Sequence, residues 1–355
     1  MKLAIISVTN QGALLSQELA KKLTLCGRTA DLFAKEGRNP VGAVSYNLLS
    51  RLVGDIFSKY EGFLFIMAAG IVVRVIAPYV CDKRVDPAVV VMGDNGKHVI
   101  SLLAGHMGGA NELTQSLAAL SGAEPVITTA TDLARKPAAD MLAVKLKLTI
   151  EPFARLKTIN AAIVANDNVK FFLDTSLDNQ EAYYQEAARQ GIILEELSQL
   201  AVANYDAAVI ITDQLLPDHH RHLYLRPRTL SVGIGCRRDT RSEEILQAVA
   251  NACEKAGRSI GSIAIIGSSV VKQEEKGLLE VIGQLAVESR FFPNEPLQAC
   301  IEKYQLEESE FVKKEIGVGN VCAAAAIIAG QSDKLLLPKT KYKNVTVAIA
   351  TAKSR

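Results

Sequence analysis

The feature that most limits how this chain can fold is a recurring alternation. Short, wholly apolar runs of strand length end in glycine or small polar residues and are followed by stretches with helical spacing. LAIISV (3–8) leads through Thr-Asn-Gln-Gly into a helical pattern that continues to Leu25, and FLFIM (63–67) leads through Ala-Ala-Gly into IVVRVIAPYV. The β-branched residues of that last segment favour a strand, but its place directly after a strand and a glycine predicts a helix. VVVM (89–92) and HVISLL (98–103) flank Gly93-Asp94-Asn95-Gly96, which predicts a hairpin. Leu113, Leu117 and Leu120 mark one face of a following helix, and PVITTATD (125–132) reads as a further strand. Apolar strands alternating with helices predict an α/β layer fold.

At 355 residues the chain is too long for one ordinary core. Composition shifts after Asp132. AAIVAN (161–166) and AAVIIT (207–212) read as strands on either side of the polar, acidic stretch DTSLDNQEAYYQEAARQ, and PDHHRHLYLRPR (217–228), rich in proline, histidine and arginine, reads as a linker. A second α/β unit opens at SVGIG (231–235). It continues with a helix near 241–256, SIAIIG (262–267), a helix from about Glu275, a strand near Phe291, helices near 295–304 and 320–329, and a last strand NVTVAIA (344–350). The expected architecture is multidomain α/β: an N-terminal α/β sandwich over 1–138, a small middle α/β domain with linker over 139–227, and a C-terminal α/β sandwich over 228–355.

Lys+Arg (40) nearly balances Asp+Glu (38), giving a net charge of +2, and aromatic residues make up only 5% with no tryptophan. Neither a nucleic-acid surface nor an acidic membrane is an expected partner. The six cysteines are scattered without a C-x-x-C pair, so they read as reduced thiols rather than a disulfide framework or zinc site. The first apolar run is too short for a signal-peptide core and no later run is long enough to span a bilayer. A cytoplasmic protein is expected.

Several strings carry chemistry. Gly105-His106-Met107-Gly108-Gly109-Ala110-Asn111 places a lone histidine in a glycine turn at the start of a helix. Helix N-termini leave backbone N–H groups without partners, and glycine lets an anion approach them. An anion or oxyanion site and a structural turn with a surface histidine both fit. Neither a dinucleotide fingerprint nor a Walker loop is present. Arg74 stands inside an apolar run, suited either to a bidentate carboxylate or to a salt bridge with Asp82 or Asp86. Arg237 and Arg238 follow a strand that ends in glycine, where Thr240 with Glu243 suggests a capping box. The pair suits a carboxylate or phosphate, or forms a solvated basic turn. Lys272-Gln273-Glu274-Glu275 reads as a helix start with a charged first turn. His219, His220 and His222 lack carboxylate or cysteine ligands at metal-site spacing, so no metal site is expected.

Together these strings resemble one family. "AAGIVVRVIAPYVCDKRVDPAVVV", "HVISLLAGHMGGANELT" and "PVITTATD" are similar to the N-terminal domain of the CbiG family, the cobalt-precorrin-5A hydrolases of anaerobic cobalamin (vitamin B12) biosynthesis. "VGIGCRRDT", the K-x-x-E-x-G-L string from Lys272 to Leu278 and "GVGNVCAAAA" resemble its C-terminal domain, which also occurs in the CobE family. One departure is visible: where the family carries an Asp-Glu-like pair, this chain has Gly93-Asp94.

The resemblance implies a hydrolase whose substrate is a ring-contracted cobalt tetrapyrrole. Water opens a δ-lactone and the extruded two-carbon fragment leaves as acetaldehyde, giving cobalt-precorrin-5B. It implies no cofactor, because the cobalt belongs to the substrate. His106 becomes the candidate catalytic base, with backbone N–H groups near Gly108 and Gly109 as oxyanion donors. Arg74, Gly105, Gly108, Gly109, Asn111, Arg237, Arg238, Lys272 and Glu275 become candidate contacts for a polycarboxylate rim. Because these residues fall in the first and third domains, the active site is expected between them. The alternative is a non-catalytic tetrapyrrole carrier of the same pathway. A homodimer and transient contact with other cobalamin-pathway enzymes are left open.

Overall fold

The computed structural model describes residues 1–38, 42–129 and 136–353. The chain divides into two compact units, Met1–Met141 and Leu142–Arg355.

The first unit contains β1 (Leu3–Ser7), α1 (Asn10–Leu25), β2 (Ala30–Lys35), β3 (Val44–Tyr46), α2 (Leu49–Ile56), β4 (Gly62–Ile66), α3 (Ala69–Ile76), β5 (Ala88–Met92), β6 (His98–Leu103), α4 (Ala110–Ser121) and β7 (Glu124–Val126). Its sheet has the order β3-β2-β1-β4-β5-β6-β7, parallel except where β6 returns antiparallel to β5. Strand side chains alternate between faces. Leu3, Ile5, Leu64 and Ile66 therefore meet Leu19, Leu23, Leu113 and Leu117 of α1 and α4. Ala4, Ile6, Phe63 and Phe65 meet Val53, Ile56, Val72 and Ile76 of α2 and α3. IVVRVI is helical, because on α3 Val72 and Ile76 fall one turn apart on the buried face. Among its described residues PVITTATD pairs through Pro125 and Val126: β7 is a short edge strand beside β6, and the Thr129 hydroxyl accepts a bond from Asn111 instead of continuing the ladder. Residues 130–132 of that string lie outside the described residues.

Helix α5 (Ala139–Lys145) precedes the middle region: β8 (Thr149–Glu151), α6 (Leu156–Ala165), β9 (Val169–Leu173), α7 (Gln180–Arg189), β10 (Leu194–Glu196), β11 (Ala207–Ile211) and β12 (His222–Arg226). Its sheet order is β10-β9-β11-β12-β8, with only β8 antiparallel. Two expectations fail here. AAIVAN is not a strand but the end of α6, whose buried residues Leu156, Ile159 and Ile163 follow helical spacing across a window longer than the apolar run alone. PDHHRHLYLRPR is not simply a linker, since His222–Arg226 is a fully buried strand near the centre of the sheet. Its polar members are tolerable there because each finds partners. His222 Nε2 lies 3.0 Å from the Tyr205 hydroxyl. The Arg226 guanidinium donates to Glu151 at 2.6 Å and to the carbonyls of Thr212 and Gln214.

The third sheet is built from β13 (Leu230–Cys236), α8 (Ser242–Lys255), β14 (Ile263–Ser269), α9 (Lys276–Leu285), β15 (Glu288–Phe292), α10 (Asn294–Tyr304), α11 (Glu310–Ile316), α12 (Val321–Gly330), β16 (Leu335–Lys341) and β17 (Val345–Thr351). Its order is β15-β14-β13-β17-β16, with β13, β14 and β15 parallel and β17 antiparallel to β13 and β16. Helices α8 and α9 cover one face, α10 and α12 the other. The alanine-rich α12 lies against backbone: a Cβ on Gly233 would stand 1.7 Å from the Cys322 carbonyl oxygen, and one on Gly267 would stand 2.6 Å from that of Ala325. Polar bonds tie this sheet to the middle one. Ser259 donates to Glu151 at 2.7 Å, Thr229 to Asp213 at 2.7 Å, and the Ser259 N–H to the Asp213 carbonyl at 2.8 Å. All three sheets are mixed, which makes the chain an α/β protein with three layered regions.

Candidate active site

His106 is not a surface histidine. Its side chain is 8% exposed, and its Nδ1 lies 3.2 Å from Oδ2 of Asp140, itself 7% exposed in the first turn of α5. An acid on one ring nitrogen fixes the tautomer and orientation of the imidazole. Asp140 was not among the expected site residues. It lies 34 positions away, and no local pattern connects the two.

The turn around His106 is built from within. Ala104 has φ +56° and Gly109 φ +84°, both left-handed. The N–H groups of Gly109, Ala110 and Asn111 donate to the carbonyls of His106, Ala104 and Gly105 at 3.0–3.1 Å. Gly109 is therefore engaged inside the turn, against the expectation that its N–H would face an oxyanion. A Cβ on Gly108 would lie 2.4 Å from Cβ of Ala104 and 3.1 Å from the Asp86 carbonyl oxygen, so the glycine is needed for chain-on-chain contact. Gly105 likewise sits under Asn111, whose Oδ1 would lie 2.8 Å from an added Cβ. Asn111 is buried, accepts from the Ser101 hydroxyl at 2.6 Å and donates to Thr129 at 3.0 Å. It fastens the turn instead of presenting its amide to a ligand.

The sheet separates other candidates. Leu103 pairs with Val89, so the His106 turn lies at the amino-terminal edge of β5. The start of α3 at Gly70 follows the carboxyl end of β4, the opposite edge, where Thr9 lies 3.4 Å from Asp94. Arg74 projects from α3 into solvent and donates to the Gly70 carbonyl at 3.0 Å. It pairs with neither expected acid: Asp82 binds Arg84 at 2.8 Å and Asp86 accepts the Cys81 N–H at 3.0 Å.

In the second unit, Arg237 and Arg238 are exposed in the loop after β13. The expected capping box does not form: Arg241 holds the N-cap position of α8, and the Thr240 hydroxyl turns back to the Arg237 carbonyl at 2.8 Å. Lys272 is buried and binds Oε1 of Glu275 at 2.8 Å, while Oε2 accepts the Asp239 N–H at 3.1 Å. Burial pushes the Glu275 carboxyl up, but the Lys272 and Asp239 bonds, with the Lys272 and Arg238 charges, outweigh it and hold the group below its ordinary value. Gly277 lets α9 touch the loop, since a Cβ there would lie 2.1 Å from the Thr240 carbonyl oxygen. The structure thus brings Arg237, Arg238, Lys272 and Glu275 together, with the buried pair bracing the loop and the arginines facing outward.

His219 stacks on His220 with ring centroids 4.8 Å apart and lies tilted against His222 at 4.3 Å. Burial, then the His219 and Arg155 charges, depress His222 to about 4. Among the described residues no group of three or more His, Cys, Asp or Glu side chains is arranged to hold a metal. Burial pushes the Cys236 thiol up to about 11, so it does not supply a thiolate at neutral pH. No helix among the described residues is long and apolar enough to cross a membrane.

Three regions match known families in order. Residues 51–132 match the family described as cobalamin synthesis G N-terminal, 137–227 the cobalamin biosynthesis central region, and 230–350 the cobalamin synthesis G C-terminus. A cobalt-precorrin-5A hydrolase of Salmonella typhimurium is 34% identical over 351 residues, spanning 99% of this chain and 97% of that protein. A second, from Priestia megaterium, is 29% identical and spans 98% of this chain and 94% of its own. The protein CobE of a Sinorhizobium species is 29% identical over 122 residues, spanning 34% of this chain and 79% of its own.

Proposed function

The chain belongs to the cobalamin synthesis G family, and from that premise we propose that it is a cobalt-precorrin-5A hydrolase, opening the δ-lactone of its cobalt-tetrapyrrole substrate and releasing acetaldehyde. The reading takes the three domains as 1–138, 139–227 and 228–355 and the cytoplasm as the compartment. The observation that carries the catalytic role is the buried His106–Asp140 pair. Asp140 on Nδ1 leaves Nε2 as the basic nitrogen. Nε2 takes a proton from water as the water oxygen attacks the lactone carbonyl. The Gly108 N–H, which has no acceptor among the described residues, is a donor for the developing oxyanion. Collapse gives a carboxylate and an alcohol. Loss of the alcohol proton then breaks the carbon–carbon bond: acetaldehyde departs, the electron pair stays on the macrocycle carbon, and that carbon takes up a proton. One water is consumed overall. Arg237 and Arg238 supply cations suited to rim carboxylates.

His106→Ala tests the reading. Turnover should fall by roughly 10²–10⁴, the range for a lost general base, with corrinoid binding retained. Unchanged turnover at saturating substrate would remove His106 from the mechanism. Tight corrinoid binding by the unaltered protein without any acetaldehyde would favour the carrier instead.

A further inference from the structure

Three arginines lie along the seam between the middle and third sheets. Arg226 is paired with Glu151, and Arg258 lies 3.5 Å from Asp213. Arg228 is different. It is half-buried, donates to the Ile263 carbonyl at 2.5 Å, and has no carboxylate partner among the described residues. Burial alone lowers its pKa, the mark of a cation held in poor solvation without a counter-charge. Arg228 lines a cavity of about 410 Å³. Lys147 and Lys353 share the wall, and Leu146, Ile265 and Val287 give it an apolar side. Two acids, Asp178 and Glu288, also line it, so among the described residues cations outnumber acids. A partly buried cation favours an anion beside it.

We propose that this cavity is a binding site for a carboxylate carried on a short apolar arm. The guanidinium fork of Arg228 matches a carboxylate in two parallel bonds, while the aliphatic wall takes the arm. The site is separate from the Arg237–Arg238 loop. Thr229, Ala264 and Glu288 of the cavity lie at the amino-terminal edge of β13, β14 and β15, whereas the arginine loop follows the carboxyl end of β13. The volume is at the lower end of the range for small-molecule pockets, so it holds a small acid or one side arm of a larger one, not a macrocycle. The ligand is therefore a free short-chain acid or a rim propionate of the substrate. Only the second source rests on the proposed function.

The test is calorimetric titration of the full chain with glutarate and with butyrate, repeated on Arg228→Gln and on Ala264→Leu. The second variant narrows the cavity and leaves the arginine in place. Saturable binding is expected, weakened at least tenfold in both variants. No binding by the unaltered chain, or binding that survives both cavity variants, overturns the proposal, and this readout does not depend on catalysis. The source is then decided by acetaldehyde release: a raised KM in Arg228→Gln with glutarate as competitor marks a substrate arm, and an unchanged KM marks a free acid.

Discussion

Replacing Asp140 by asparagine removes a charge while keeping the side chain's shape. The Nδ1–Oδ2 separation is 3.2 Å and the two side chains are 8% and 7% exposed, so water screens the interaction little. A hydrogen bond to a charged group in such a setting contributes about 1.5–3 kcal/mol. If Asp140 steadies the imidazolium that forms as His106 accepts a proton, that energy belongs to the transition state. At about 1.4 kcal/mol per decade, turnover should fall roughly 10- to 150-fold. An amide that turns its NH2 toward the ring would favour the wrong tautomer and raise the loss toward about 10⁴-fold. KM should change less than about threefold, because neither effect touches ground-state binding. The assay couples acetaldehyde to NADH oxidation through alcohol dehydrogenase, with the melting temperature followed in parallel. Wild-type kcat in Asp140→Asn would show that the carboxylate plays no part in turnover. So would a loss of activity that tracks a loss of folded protein.

Glu151→Ala leaves Arg226 at 3% exposure with the Thr212 and Gln214 carbonyls and the Tyr224 ring but no counter-charge. Breaking a buried pair costs about 3–5 kcal/mol, and the 36% exposure of Glu151 discounts this to about 2–3; an unshifted urea midpoint would contradict it. His222 is held neutral, with its pKa lowered from 6.5 to about 4, so the unfolded chain binds more protons as pH falls below 6.5. Its contribution is full above pH 6.5 and is lost on descent toward about pH 4, by up to about 3 kcal/mol. His222→Gln should flatten urea midpoints measured across that window, and an identical pH slope in both proteins would show otherwise. Arg237→Gln/Arg238→Gln should weaken binding of the polycarboxylate substrate and reduce its salt dependence, as loss of exposed cations requires; equal affinity and equal salt slope would mark the pair as a solvated turn.

Wherever one short window held both an apolar run and its punctuation, local sequence was enough. β1, β4, β5 and β11 are legible that way, because a strand buried on both faces must be apolar, and β6, β13, β14 and β17 are legible from apolar runs bounded by glycine or polar residues. The helix of α3 was legible from its place after β4. Elements whose stability comes from elsewhere were not. β12 carries His222 and Arg226 and looks like a linker until Tyr205, Glu151 and two carbonyls arrive from distant positions. The run AAIVAN resembles a strand until Leu156 and Ile159 extend its period. The site divides the same way. Sequence alone determined that a histidine stands in a glycine turn before a helix, and that two arginines end a strand. Tertiary structure decided what those groups are. Only the fold brings Asp140 to His106, folds the turn's own N–H groups inward, and sets Lys272 on Glu275 beneath the arginine loop. The physical reason is range: periodicity and turn chemistry act over a few residues, whereas a buried charge or imidazole is defined by partners that the chain supplies from tens of positions away.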